Sequence, residues 1–345
     1  MGLDRWHALH HLLRLGLLRP EEIVAEDITA TATLSRNRLV RVERQGRPGF
    51  VVKQPRDTAQ PDAATMWTEA ALFWLAANDT GFAPLRPWMP RYHHYDPLQR
   101  MLTIEFVAPA QSLAEKLFGA GVPPGVAAQA GQVFAILHGP VSAAALNGPS
   151  RSLFASTIPW VLTLGFADNR YVPSTPVSAA TLRDILARPE VMAGLAALRG
   201  SWRAERIVHG DAKAANLLIL ADGGVRLIDW EIAGLGDPLW DVAGLIHSIL
   251  IPNPAAAPET LAQAQGRARP LVEAIWRAYA GFGPIAGAAG DAPARLLAMA
   301  GARILQTSLE ATHYGAPMPG MPAMLAMAAE LLASPQQARE RWQWT

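Results

Sequence analysis

The stretch Ile207–Glu231, IVHGDAKAANLLILADGGVRLIDWE, sets one His, four carboxylates, a Lys and an Asn among short apolar runs. The runs Leu217–Leu220 and Val225–Ile228 flank Ala221-Asp222-Gly223-Gly224, a turn composition, so the stretch reads as two short strands joined in a hairpin. Asp211 and Asn216 then lie on a loop before the first strand, and Asp229 leaves the end of the second. Pairing of the strands would bring Asp229 back near Asn216 and Asp211. Asp and Asn oxygens are hard donors suited to Mg²⁺, which is usually held by one or two protein groups plus substrate phosphates. A further carboxylate close to the metal can orient a hydroxyl and accept its proton. The pattern predicts a site for metal-bound phosphates and for a hydroxyl that attacks them.

The chain around this stretch has 345 residues, enough for one large domain or two lobes. Half of the residues are hydrophobic and 17% are charged, which supports a packed core and argues against wholesale disorder. A net charge of +1, with no run of five basic residues, gives no sign of a nucleic-acid binder. The absence of Cys excludes disulfides, thiolate zinc sites and cysteine nucleophiles, and fits a reducing cytosol. The charge-free stretch Leu117–Ser150 is broken by Pro123, Pro124, Gly131, Gly139 and Pro140. Its unbroken part is shorter than the ~20 residues of a membrane span, so a helix buried in a lobe is expected instead. The N-terminus reads as an amphipathic helix rather than a signal peptide, and a cytoplasmic location is expected.

Upstream, residues 28–54 alternate apolar and polar side chains on both sides of Gln45-Gly46-Arg47-Pro48-Gly49, a hairpin. A helix, DAATMWTEAALFWLAAN, follows, and then a second hairpin around Asp96-Pro97-Leu98-Gln99. A short helix follows Val107, then an Ala-rich helix over 125–137 and a helical pattern over 179–201. From Leu239 onward the chain reads as almost entirely helical. The predicted architecture is α+β: a small, five-stranded antiparallel N-lobe with one main helix over residues 1–107, and a large helical C-lobe over 108–345.

The order HGDxxxxN, IDWE, GDPxxDxA, ending at Gly236–Ala243, resembles the aminoglycoside phosphotransferase and choline kinase superfamily, relatives of the protein kinases. That resemblance implies a two-lobed protein-kinase-like fold and an ATP- and Mg²⁺-dependent phosphotransferase acting on a hydroxyl. It makes Asp211 the catalytic base, Asn216 and Asp229 the metal ligands, Asp241 a brace for the catalytic loop and His209 a scaffold residue. Lys213 stands where the protein-kinase pattern HRDxKxxN places a lysine against the transferred phosphate; the plainer reading is a solvated loop lysine. Lys53, in FVVKQP, holds the place of the family's phosphate-binding lysine. Glu69 is either its partner or an exposed helix carboxylate. Ile104–Val107 is the expected hinge, with backbone groups of Glu105 and Val107 facing adenine. The loop over the phosphates, LSRNRLVRV, has no glycines, and Ser35 and Asn37 provide its turn; ATP and GTP both remain open as donors. Arg36 and Arg38 either add charge there or are simply exposed.

From Asp241 to Thr345 there are seven acidic and seven basic residues, which builds no acidic cradle for a polycationic antibiotic. The segments LLRLGLLRPEEIV and SRNRLVRV resemble a subgroup that phosphorylates Ser/Thr of ribosomally made peptides. The expected acceptor is therefore a precursor peptide, with a lyase acting downstream. A small-molecule alcohol (an antibiotic, sugar or amino alcohol) is the alternative. A catalytically inactive nucleotide-binding module is a third reading, opposed by the complete set Lys53, Asp211, Asn216 and Asp229. His93-His94 and His10-His11 point apart and form no metal pair.

Overall fold

The computed structural model describes residues 2–25, 27–34, 37–56, 62–119, 121–251, 259–282, 291–313 and 320–343. The chain forms two compact units, Met1–Gln111 with Leu218–Ala233, and Ser112–Leu217 with Gly234–Thr345.

The first unit is built on five antiparallel strands: β1 (Ile28–Leu34), β2 (Asn37–Arg44), β3 (Arg47–Pro55), β4 (Tyr92–Asp96) and β5 (Met101–Phe106), in the order β1-β2-β3-β5-β4. This is the five-stranded sheet that the alternating pattern predicts. The first turn is tighter than expected. Gly46, at φ 67, supplies the left-handed residue after Gln45, and β3 already starts at Arg47, so Pro48 and Gly49 belong to the strand. In the second turn Asp96 accepts hydrogen bonds from the Leu98 and Gln99 amides at 2.9 and 3.0 Å. Helix α1 (Arg5–Arg14) starts at Asp4, whose side chain caps the His7 amide. It buries Leu9 and Leu12 with Val40, Val42, Phe50 and Val52 of the sheet. Full burial of each such Leu contributes roughly 1.5–3 kcal/mol. A one-turn helix, α2 (Pro20–Val24), follows, and α3 (Asp62–Asn78) is the main helix of this unit.

Leu218–Ala233, expected with the C-terminal lobe, packs in the first unit instead. The strand Val225–Leu227 lies against the 3₁₀ segment Ala83–Trp88, and Asp229 pairs with Lys53. The hairpin itself is as expected, closed by Leu220 and Gly224.

The second unit is helical: α4 (Leu113–Phe118), α5 (Pro124–Ile136), α6 (Ser142–Asn147), α7 (Pro176–Leu186), α8 (Pro189–Gly200), α9 (Leu239–Leu250), α10 (Leu261–Phe282), α11 (Ala292–Thr312), α12 (Met321–Ala333) and α13 (Pro335–Trp342). Gly131 lets α5 approach α10 closely; a Cβ there would overlap the Ile275 carbonyl. The Ala-rich helix runs past its expected end into a π turn, Leu137–Val141, because Pro140 cannot continue the α-helical ladder. Helix α9 is buried on nearly every side and α11 packs against it, so loop residues meet them in a water-poor setting. Among the described residues no helix is long and apolar enough to cross a membrane.

Candidate active site

In the first unit, Lys53 sits mid-strand in β3, opposite Leu39 and Leu102. Its ammonium lies 2.8 Å from Glu69 of α3 and 3.1 Å from Asp229. Glu69 is fully enclosed, at 0% exposure, which rules out the exposed-carboxylate reading. Burial opposes the charge on Lys53, but Glu69 and then Asp229 outweigh it and push its pKa up. Burial drives the Glu69 carboxyl up, and Lys53 pulls it back. Two carboxylates thus face one ammonium within 3.1 Å. Asp229 holds a left-handed φ of 68 without being glycine, a conformation that costs roughly 1 kcal/mol and marks functional positions.

At the start of β2, Asn37 Nδ2 donates to Glu231 at 2.6 Å, joining that strand to the IDWE segment. Ser35 and Arg36 lie outside the described residues. In β5 the Glu105 amide donates to the Arg91 carbonyl at 2.8 Å, and the Glu105 carboxylate accepts from the Arg91 amide at 2.9 Å. The Glu105 carbonyl lies on the same side of the strand as its amide, and Arg91 leaves it for the carboxylate. Val107 follows the last residue of β5.

In the second unit, the loop after the strand Arg206–Val208 carries Asp211, Lys213 and Asn216. Gly210, at φ 82, turns the chain immediately before Asp211. Lys213 Nζ donates to Asp211 Oδ2 at 2.6 Å. It is therefore paired within its loop, though partly exposed. Asn216 Nδ2 donates to the Asp211 carbonyl at 2.9 Å, leaving Oδ1 as the oxygen suited to a cation. A second cation, Arg303 of α11, donates to Asp211 Oδ1 at 3.3 Å. Burial alone would raise the Asp211 pKa, but the charges of Arg303 and then Lys213 hold it below the ordinary carboxylate value.

The loop is braced from α9. Asp241, fully buried, accepts from the His209 amide at 2.7 Å and the Gly210 amide at 2.9 Å. His138, from the π turn, bonds Asp241 Oδ2 with one ring nitrogen and the Tyr279 hydroxyl with the other, each at 3.0 Å. Trp240 donates to the Gly210 carbonyl at 3.2 Å. His247 Nδ1 donates to the Gly244 carbonyl, so Nε2 accepts from Thr307 at 3.1 Å. Burial and then the Arg303 charge push the His247 pKa down to about 3, which keeps the ring neutral.

Residues 28–282 match the model of the phosphotransferase enzyme family. The chain belongs to that family. It is an enzyme that transfers phosphate to a hydroxyl. A search of curated proteins gives no match. Among solved structures, an ethanolamine kinase from Plasmodium vivax aligns with TM-score 0.53 at 12% identity, covering 94% of this chain and 86% of its own. A protein described as a fructosamine-3-kinase from Thermobifida fusca aligns with TM-score 0.50 at 18% identity, covering 90% of this chain and 93% of its own. At these identities the likeness concerns the fold, which is protein-kinase-like, with the antiparallel sheet N-terminal and the helical region C-terminal.

Within this phosphotransferase the expected site residues gather in two sets, Lys53–Glu69–Asp229 in one unit and Asp211–Lys213–Asn216 in the other. Sequence reasoning missed Glu231 as the partner of Asn37, His138 and Tyr279 behind Asp241, and Arg303 beside Asp211. Only Glu231 carried a signal, since it closes the IDWE motif. Among the described residues no cluster of three or more His, Asp or Glu forms a self-contained metal cage.

Proposed function

We propose that this phosphotransferase moves the γ-phosphate of ATP, with Mg²⁺, to the hydroxyl of Ser or Thr in a ribosomally made peptide. Lys53, fixed between Glu69 and Asp229, supplies the cation for the nucleotide phosphates. Backbone groups of Glu105 and Val107 serve the adenine edge, and Asn37 stands at the phosphate end of β2. Asn216 through Oδ1 and Asp229 through its partly exposed carboxylate are the hard oxygens that would hold Mg²⁺. A cation held there would neutralise charge on the phosphates. Asp211 orients the acceptor hydroxyl and takes its proton, while Lys213 stabilises charge spreading over the transferred group.

The observation that carries the acceptor reading is the pair of cations on Asp211: Lys213 on Oδ2 and Arg303 on Oδ1. Positive charge beside the base disfavours a polycationic aminoglycoside and suits a neutral acceptor such as a peptide hydroxyl. The test is transfer of labelled γ-phosphate from ATP to a panel of Ser/Thr peptides, small alcohols and aminoglycosides. Labelling confined to peptides supports the reading. Labelling of a sugar or amino alcohol but no peptide replaces it with a small-molecule phosphotransferase. ATP binding without any ADP formation would instead mean an inactive nucleotide-binding module. In the organism, phosphorylation followed by elimination would call for a lyase that consumes the phosphopeptide.

A further inference from the structure

Arg303 lies on α11, about ninety residues after the catalytic loop, and is 3% exposed. Its Nη2 donates both to Asp211 Oδ1 at 3.3 Å and to the Ala212 carbonyl at 3.1 Å. Its guanidinium lies 5.2 Å from the centre of the Trp240 ring, and that indole in turn holds the Gly210 carbonyl. The Nε group is enclosed and has no partner among the described residues.

A buried guanidinium with an unpaired N–H is an expensive way to fill a helix–loop contact. A Met or Leu of similar volume would fill it at lower cost, since desolvating a charge is paid back only by a good partner. The partner here is Asp211. Three side chains donate to that carboxylate: Lys213 at 2.6 Å, Asn216 at 3.4 Å and Arg303 at 3.3 Å. On the reading above, Lys213 turns to the transferred phosphate and Asn216 to the metal once the nucleotide binds. Arg303 has neither task. It is anchored to a main-chain carbonyl and stacked on an indole, so it stays with the carboxylate.

We propose that Arg303 is a positioning residue for Asp211, fixing the carboxylate through Oδ1 so that Oδ2 faces the acceptor hydroxyl while Lys213 and Asn216 are engaged elsewhere. The inference rests on Asp211 being the base, and it adds a residue that no motif contains. The guanidinium acts by orientation. Displacing a reacting group by about 1 Å can cost on the order of 10²-fold in rate.

The test is a double-mutant cycle on MgATP hydrolysis, in which water takes the acceptor's place and release of labelled phosphate is the readout. Arg303→Met should lower kcat about 10²-fold and leave the KM for ATP within about twofold. In an Asp211→Asn background the same substitution should cost less than about threefold, because the carboxylate it positions is already lost. A brace that acts on the fold would cost the same factor in both backgrounds, and that result overturns the proposal. So does an Arg303→Met enzyme within about threefold of wild type. Should Arg303→Met fail to fold, Arg303→Lys keeps the charge but loses the two-way donation of Nη2. It is expected to lose roughly tenfold alone and nothing in the Asp211→Asn background, whereas equal losses overturn the proposal. A wild-type chain that forms neither phosphate from ATP and Mg²⁺ nor any labelled acceptor removes the ATP-dependent reading, and the inference with it. A rate that falls with Asp211→Asn but not with Arg303→Met removes only the inference.

Discussion

Replacing Lys53 with Met keeps the length of the side chain and removes its charge. It leaves Glu69, which has no exposure, without its counter-ion 2.8 Å away. Asp229 is partly exposed and can turn to water, but Glu69 cannot. The buried carboxylate therefore takes up a proton. Its ordinary value is 4.5, so at pH 7 protonation costs at most about 3.5 kcal/mol, at ~1.4 kcal/mol per pH unit. That agrees with the roughly 3–5 kcal/mol lost when one partner of a buried pair is removed. The variant's Glu69 has a pKa raised above that of the unfolded chain, so its folded state binds the extra proton. Stability must then fall as pH rises above 4.5 toward the raised value, by up to about 1.4 kcal/mol per unit. The assay is urea unfolding of wild type and Lys53→Met at several pH values between about 5 and 8. A variant that loses less than about 1 kcal/mol at pH 7, or whose stability relative to wild type rises with pH, would refute the view that Lys53 neutralises a buried Glu69.

Three further outcomes follow from the same geometry. Asp229→Ala and Asn216→Ala should each raise the Mg²⁺ needed for half-maximal turnover at least about tenfold, read by titrating Mg²⁺ at saturating ATP; unchanged titrations of both would remove the ligand assignment. His247 is held neutral, with its pKa lowered from 6.5 to about 3. The stability this gives is complete above pH 6.5 and is lost as pH falls toward 3, at up to about 1.4 kcal/mol per unit. His247→Gln keeps a donor for Gly244 and an acceptor for Thr307, so it should flatten that acid limb in thermal melts; an unaltered slope would count against it. At Gly244 a Cβ would overlap the Ala212 carbonyl, so Gly244→Ala should cost about 1–3 kcal/mol and disturb turnover more than ATP binding, and wild-type melts and rates would contradict this.

Much of the fold was legible because local chemistry and tertiary structure agree. The hairpins at Gln45-Gly46 and Asp96–Gln99 carry turn residues that specify their strands, and the alternation in β2 and β3 places Val40, Val42 and Val52 inside. Lys53 and Asp229 could be picked out because each is a charge set into an apolar strand or at its end. Arg303 could not. It sits in an ordinary helix whose pattern says only that one face is buried, and its partner lies far away in sequence. The same holds for His138 and Tyr279: their link to Asp241 depends on how α5, the π turn and α10 pack. The grouping of Leu218–Ala233 with the first unit was also hidden, because a hairpin's sequence specifies its turn and not the surface it packs on.

The most direct test pairs nucleotide titration with turnover for wild type and Asp211→Asn. Asp211 is held by Lys213, Arg303 and Asn216, whereas Lys53, Glu69 and Asp229 bond one another. The account predicts Mg²⁺-dependent ADP formation by wild type, ATP affinity within about twofold in the variant, and turnover lower by roughly 10²–10⁴-fold, the range for a positioned acid or base. An Asp211→Asn enzyme that loses ATP affinity yet keeps wild-type turnover at saturation would make Asp211 a nucleotide or metal residue and contradict the account.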